Sequence, residues 1–127
     1  MNNFDLPTSE HFIVWDKFQT VKNFASAEIA WTNIKQPAQV FRYAIHKEIA
    51  GRVKIHPTQK PIKLYKWLLL NYAKKGDTIL DTHMGSGSSV IAALDMGFKI
   101  TAYETDKDYF DAACKRIEDA QRQGKLL

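Results

Sequence analysis

The chain has 127 residues, of which 45% are apolar and 25% charged, and its formal net charge is +4. This size and balance are typical of one soluble globular domain, and the sequence shows no internal repeat or low-complexity segment. A single cysteine, Cys114, excludes an internal disulfide and a cysteine-cluster metal site. No apolar stretch is long enough to span a membrane and the first residues do not resemble a secretion signal, so we expect a cytoplasmic protein.

The positive charge is concentrated in one part of the chain. Residues 51–76 contain seven Lys or Arg residues and no Asp or Glu. A basic surface of this kind suits phosphate backbones, although the lysines of a helix can also simply face solvent. The candidate nucleic-acid contacts within this stretch are Arg52, Lys54, Lys60 and Lys63.

Three short strands are predicted in the first half. Phe12–Trp15 is a continuous apolar run, Ile29–Thr32 is a second run, and Gln39–Tyr43 alternates polar with apolar residues. Turns between them suggest an antiparallel portion of a sheet. Ala44–Lys54 is then a basic connector, so residues 1–54 form one part of the expected organisation and residues 55–127 the other.

A helix is predicted after two closely spaced prolines. Pro61 suits its first position because proline has a fixed φ and its missing N–H is not needed there. The apolar residues that follow at helical spacing are Ile62, Tyr65, Leu68, Leu69 and Tyr72. Lys74 and Lys75 suit the negative end of the helix dipole, and Gly76 is predicted to end the helix.

The remainder alternates strands with helices. A strand over Thr78–Leu80 leads into the glycine-rich stretch Asp81–Ser89, and a helix then runs to Met96. A second strand covers Lys99–Tyr103, and a last helix begins near Asp106. This alternation predicts an α/β fold with parallel strands, right-handed crossovers and a ligand site at the carboxyl ends of the strands.

The glycine-rich stretch discriminates among nucleotide ligands. A phosphate-binding NTPase loop needs Lys and then Ser or Thr after its last glycine, whereas Gly87 is followed by two serines. A dinucleotide fingerprint needs a third Gly or Ala where this chain has Val90. Glu104, placed after the next strand, could accept hydrogen bonds from both hydroxyl groups of a ribose. An adenosine without a pyrophosphate agrees best with these features, and Asp81 could bind an ammonium group, orient the loop or cap the turn.

Four motifs together resemble a known family. They are His56-Pro57-Thr58-Gln59-Lys60-Pro61, the strand-terminal Asp81, Gly85-Ser86-Gly87 and Tyr103-Glu104. In this order they resemble the carboxyl-terminal part of S-adenosylmethionine-dependent DNA adenine-N6 methyltransferases, within the N4/N6 amino-methyltransferases of permuted motif order. The resemblance covers nearly the whole chain. It implies an incomplete, Rossmann-like class I methyltransferase sheet with an antiparallel N-terminal portion.

The resemblance also implies a cofactor, S-adenosyl-L-methionine, and double-stranded DNA as a partner. Carried over by position, it assigns cofactor binding to His56, Pro57, Thr58, Gln59, Lys60, Asp81, Thr82, His83, Gly85, Ser86, Gly87, Ser88 and Glu104. The family commonly has Pro and Phe at the positions of Thr82 and His83. His83 could therefore stack against the cofactor as that Phe would, or simply face solvent.

The family's catalytic motif has no counterpart in this sequence. That motif is Asp, Asn or Ser followed by two prolines and an aromatic residue, and the four prolines here are the isolated Pro7, Pro37, Pro57 and Pro61. We therefore assign no catalytic residue and expect the chain alone to be inactive. The strand that carries the motif is missing too, so we expect self-association or a partner chain to cover the sheet. The alternatives are a noncatalytic DNA- or protein-binding module and an inert remnant.

Overall fold

The computed structural model describes residues 6–8, 10–18, 25–44 and 59–126. The chain divides into two compact units, Met1–Lys47 and Glu48–Leu127. Among the described residues, no helix combines the length and the apolar character needed to cross a membrane. Apart from Ala44, the predicted connector, with Arg52 and Lys54, lies outside the described residues, as do His56, Pro57 and Thr58.

The first unit contains a three-stranded sheet. Its strands are β1 (Phe12–Asp16), β2 (Ala27–Trp31) and β3 (Gln39–Arg42), in the spatial order β2-β1-β3. β1 lies between the other two strands, so both of its edges are paired. Within β1, Ile13 and Trp15 are buried, which the alternation of side chains along a strand assigns to one face.

The prediction of antiparallel pairing is confirmed for only one of the two pairs. β1 and β2 are antiparallel, with Val14 opposite Ile29, whereas β1 and β3 are parallel, with Val14 opposite Val40. The chain reverses once after β1 and again after β2, so β3 runs in the direction of β1. Because β3 joins the free edge of β1 rather than that of β2, the resulting pair is parallel.

The second unit has the predicted alternation of helices and strands. Its elements are α1 (Ile62–Tyr72), β4 (Thr78–Asp81), α2 (Ser88–Asp95), β5 (Lys99–Ala102) and α3 (Lys107–Leu126). β4 and β5 are parallel, with Asp81 opposite Ala102. Parallel pairing brings the carboxyl ends of both strands to the same edge, where the loop after β4 meets the loop after β5.

Helix α2 forms the core of the second unit. Its first six residues, from Ser88 to Ala93, are all buried, and Ala92 and Ala93 have no exposed surface. Small side chains let neighbouring elements approach closely, and α2 contacts α1, β5 and α3. A further cluster joins the glycine loop to α3 through Met84, Val90 and Ala113, with Ile100, Ala102 and Ile117 packed against it.

The boundaries of α1 differ slightly from the prediction. Pro61 immediately precedes the helix, with φ −64°, rather than forming its first residue. The predicted end at Gly76 is wrong, because α1 ends at Tyr72 and the Ala73 amide donates to the Leu69 carbonyl. Gly76, with φ +92°, lies in a later turn, in which the Lys74 amide donates to the Asp77 carboxylate at 2.8 Å.

Candidate functional site

The loop between β4 and α2 depends on two glycines with positive φ. Gly85 has φ +53° and Gly87, the residue before α2, has φ +83°. A Cβ at Gly87 would also lie 3.1 Å from Ile117 Cδ1 and 3.4 Å from Ala113 Cβ on α3. Glycine is therefore required at position 87 both for its backbone conformation and for the close approach of α3.

Glu104 connects this loop to the end of β5. Its Oε1 accepts a hydrogen bond from the Gly85 amide at 3.1 Å, and its Oε2 accepts one from the Asp106 amide at 2.9 Å. The Met84 amide donates to the Tyr103 carbonyl at 2.9 Å. These bonds fix the carboxylate beside the glycine loop, as its predicted place after the strand implied.

Asp81 is held by the loop that follows it. Its Oδ1 accepts a hydrogen bond from the His83 amide at 3.0 Å, and its Oδ2 accepts one from the Ser89 hydroxyl. The carboxylate thus bridges the start of the loop and the first turn of α2. The bond from the His83 amide caps the turn after β4, and the Ser89 bond ties that turn to α2, so the geometry is that of a turn cap that also orients the loop.

A cavity of about 320 Å³ lies at the carboxyl ends of β4 and β5. It is lined by Lys60, Tyr65, His83, Met84, Gly85, Ser86 and Glu104. The cation of Lys60 and the carboxylate of Glu104 give this cavity charged groups of opposite sign. Together with two rings and the glycine backbone, they form a polar pocket at the small end of the size range of ligand sites.

The cavity brings together five of the predicted cofactor residues: Lys60, His83, Gly85, Ser86 and Glu104. The other described ones are not among its lining residues. Gln59 and Ser88 are buried, Gly87 packs against α3, and Thr82 is exposed with its Oγ1 2.8 Å from His83 Nδ1. Lys63, predicted to contact DNA, is exposed on α1.

Tyr65 and Arg116 were not predicted as functional positions, and Met84 and Ser89 were predicted only as members of the glycine-rich stretch. Tyr65 and Met84 line the cavity, and Ser89 bonds to Asp81. Arg116, on α3, donates from Nη1 to the Ser86 carbonyl at 3.0 Å and to the Ser88 hydroxyl at 2.8 Å. Tyr65 was visible only as one residue of an apolar helix face. No local pattern connects Arg116 to a loop some 30 residues earlier.

Chemically, this arrangement can hold a polar ligand and position it, because its carboxylate and loop backbone are fixed before any ligand arrives. A carboxylate with two backbone partners retains lone pairs that can accept hydrogen bonds from hydroxyl groups. The residue types at the cavity therefore suit a nucleoside-like molecule with both a hydroxylated and a charged part.

Comparisons with known proteins identify the family of the chain. The family model described as DNA methylase, for N6 and N4 methyltransferases, matches residues 8–115. The Type II methyltransferase M2.DpnII of Streptococcus pneumoniae is 34% identical over 84 residues, which are 66% of this chain and 31% of that protein. M2.LlaDCHI of Lactococcus lactis subsp. cremoris is 31% identical over 90 residues, which are 71% of this chain and 34% of that protein.

A solved structure shows the same fold. The crystal structure of the M1.HpyAVI–SAM complex superposes with a TM-score of 0.63 at 22% identity, covering 83% of this chain and 60% of that one. The predicted fold class, an incomplete Rossmann-like class I methyltransferase fold, is thereby confirmed. The chain spans about a third of the length of the curated relatives it matches. Since the family model covers most of the chain, this protein belongs to the family of N6 and N4 DNA methylases.

Proposed function

We propose that the second unit binds S-adenosyl-L-methionine at the cavity beside the glycine loop, as part of a site-specific DNA adenine-N6 methyltransferase. The proposal rests on one observation: the Glu104 carboxylate is fixed next to the Gly85 backbone, at the carboxyl ends of the parallel strands β4 and β5. Membership of the DNA methylase family and the SAM complex of M1.HpyAVI support the choice of ligand.

In this proposal the Glu104 carboxylate accepts hydrogen bonds from the ribose hydroxyls. Both of its oxygens already accept a backbone hydrogen bond, so the group is held in one orientation and loses little freedom when the ligand binds. Charge-assisted bonds of this kind are stronger than those between neutral groups. The cofactor's adenosine is thereby given a fixed point of attachment.

The charges of the cavity also suit the cofactor's amino-acid end. S-adenosylmethionine carries a carboxylate, an ammonium and a sulfonium, so it presents both signs of charge. Lys60 and Glu104 offer the cavity one group of each sign. We propose that Lys60 attracts the carboxylate, while the rings of Tyr65 and His83 flank the cofactor.

We propose further that this chain by itself binds the cofactor without transferring its methyl group. Adenine N6 is a poor nucleophile because its lone pair is delocalised into the ring. Methyl transfer therefore needs groups that accept hydrogen bonds from the amino group of a base flipped out of the duplex. The sequence contains no Pro-Pro-aromatic motif to supply them.

Isothermal titration calorimetry with S-adenosylmethionine tests the binding proposal. The wild-type chain is expected to bind, and Glu104→Gln to bind about tenfold or more weakly. A hydrogen bond to a charged group contributes about 1.5–3 kcal/mol, and 1.4 kcal/mol corresponds to a factor of ten. No binding by the wild-type chain would refute the proposal.

The matched control is Glu118→Gln. Glu118 is exposed on α3, so the same chemical change is made outside the cavity and affinity should be unchanged. Thermal unfolding of both variants separates lost binding from lost folding, because Glu104 also holds the Gly85 amide. Equal affinities of the two folded variants would refute the ribose assignment.

Transfer of a labelled methyl group to duplex DNA tests the second part. The purified chain is expected to give none, and measurable transfer would contradict this expectation. Binding to DNA that falls steeply with salt, in a chain without cofactor affinity, would instead favour the noncatalytic binding module.

We propose that a second copy of this chain covers the exposed part of the β4–β5 sheet, and this can be tested by measuring self-association. β4 pairs only with β5 within residues 59–126, and Leu80 on β4 is 64% exposed. Light scattering across micromolar concentrations should detect a dimer that Leu80→Ser weakens. A wild-type chain that stays monomeric throughout would refute self-association as the cover.

A further inference from the structure

We propose that Arg116 is a positioning residue that holds the glycine loop in its binding conformation from the side of α3. It acts with Ala113 and Ile117, and these three residues are called the α3 brace. The inference concerns the loop itself, and its link to affinity rests on the function proposed above.

The contacts of Arg116 converge on the loop. One nitrogen, Nη1, lies 3.0 Å from the Ser86 carbonyl oxygen, 2.8 Å from the Ser88 hydroxyl and 3.3 Å from the Ser86 hydroxyl. Both serines are buried, so water could not readily replace the guanidinium as a donor to their oxygens if Arg116 were substituted. The apolar members of the brace meet the loop between the two serines, at Gly87.

The charge of Arg116 lies beside the amino end of α2. Ser88 is the first residue of α2, and the amino end of a helix carries partial positive charge. A cation at this end is disfavoured by the helix dipole. Arg116 nevertheless donates to oxygens of Ser86 and Ser88, and these bonds hold the turn over Ser86–Ser88.

The loop is thus held from two sides by groups of opposite charge. Glu104 accepts the Gly85 N–H at 3.1 Å, and Arg116 donates to the carbonyl of the next residue, Ser86. Gly85, Ser86 and Glu104 line the cavity, whereas Arg116 is not among its lining residues. Arg116 therefore acts on the ligand through the loop and not by contact.

Native-state amide exchange of the ligand-free chain tests the brace directly. In Arg116→Met, the Gly85 and Gly87 amides are expected to exchange about tenfold or more faster. The Phe110 amide, which donates to the Asp106 carbonyl at the start of α3 at 2.8 Å, should change by less than about twofold. Affinity for S-adenosylmethionine should fall about tenfold, and Arg116→Lys, which keeps the cation, should recover part of both losses.

Arg122→Met is the matched control, because Arg122 is an exposed arginine of the same helix whose partner is Asp119. It should alter neither loop exchange nor affinity. If Arg116→Met fails to fold, Ser88→Ala removes the 2.8 Å acceptor without changing α3 and should loosen the loop in the same direction.

Each outcome decides one claim. Loop amides that are unchanged in Arg116→Met, or that change as in Arg122→Met, would overturn the brace. Faster loop exchange with unchanged affinity would overturn its role in binding. If the wild-type chain binds no cofactor, the proposed function fails and the role in binding fails with it, but the exchange measurement still decides whether Arg116 holds the loop.

Discussion

The two units use their apolar residues in different ways. In the described part of the first unit, Ile13, Trp15 and Ala44 are buried, while Ile29 is 61% and Val40 50% exposed. In the second unit Leu70 and Leu80 are also exposed, but the first six residues of α2 are all buried and the loop before them is held by polar contacts. We infer from this difference that the buried contacts of the second unit are concentrated around α2. Equal substitutions should therefore cost more there than on the sheet of the first unit.

The largest expected effect is overpacking of α2. Ala92 has no exposed surface, so Ala92→Leu should lower the free energy of unfolding by about 3 kcal/mol. Ala30 is exposed on β2, and Ala30→Leu should change the free energy of unfolding by less than about 0.5 kcal/mol. Urea unfolding followed by circular dichroism measures both. Similar losses in the two variants would contradict the comparison.

The next effect separates backbone strain from packing at the loop. Gly87→Ala should cost about 2 kcal/mol, since φ is +83° and the new Cβ would lie 3.1 Å from Ile117 Cδ1. Gly97 has nearly the same φ, +81°, with nothing within 4 Å of a Cβ, so Gly97→Ala should cost about 1 kcal/mol. Thermal and urea unfolding give the difference. A difference of zero would mean that α3 does not constrain the loop.

A smaller effect is expected in the first unit. Trp15 is 4% exposed and its Nε1 donates to the Tyr43 carbonyl at 2.8 Å, so Trp15→Phe should cost about 1.5 kcal/mol. Trp31 donates to the Pro7 carbonyl in an exposed bond, and Trp31→Phe should cost about 0.5 kcal/mol. Urea unfolding checks the order, and a larger loss at Trp31 would reverse our view of which face is the core.

The smallest effect concerns the surface of the second unit. Lys66 on α1 and Asp95 on α2 form a 3.0 Å salt bridge, and both side chains are more than 40% exposed. Asp95→Asn should cost about 0.5 kcal/mol at low ionic strength, because exposed ion pairs contribute little. The difference from wild type in the free energy of unfolding should disappear near 1 M salt, where the Debye length is about 3 Å. A loss that persists in high salt would indicate packing rather than charge.

Much of the second unit could be predicted because its signals are local. The apolar run before Asp81, the glycines, and the apolar spacing of the helices located all five elements to within a few residues. The end of α1 could not be located in this way. Gly76 is typical of a helix end, but the turn formed by Asp77 and Lys74 uses it instead.

The first unit shows where local patterns stop. The three strands were predicted from their apolar and alternating residues, but their pairing was predicted only in part. A strand's sequence indicates how many of its faces are buried, whereas its neighbours are chosen by the path of the connecting chain. The parallel pair of β1 and β3 follows from that path and from nothing within Gln39–Arg42.

The sequence by itself determined the family, the glycine loop and the carboxylate at Glu104, because each depends on residue types at short and regular spacings. Only the tertiary structure shows that Asp81 bonds to Ser89, that Ile117 leaves little room for a Cβ at Gly87 and that Arg116 bonds to the two serines. The contacts of Arg116 join residues 28 and 30 positions apart, and the Asp81–Ser89 bond, across eight positions, needs the whole loop between them to be folded. Their geometry exists only once α2, β5 and α3 have packed around the loop.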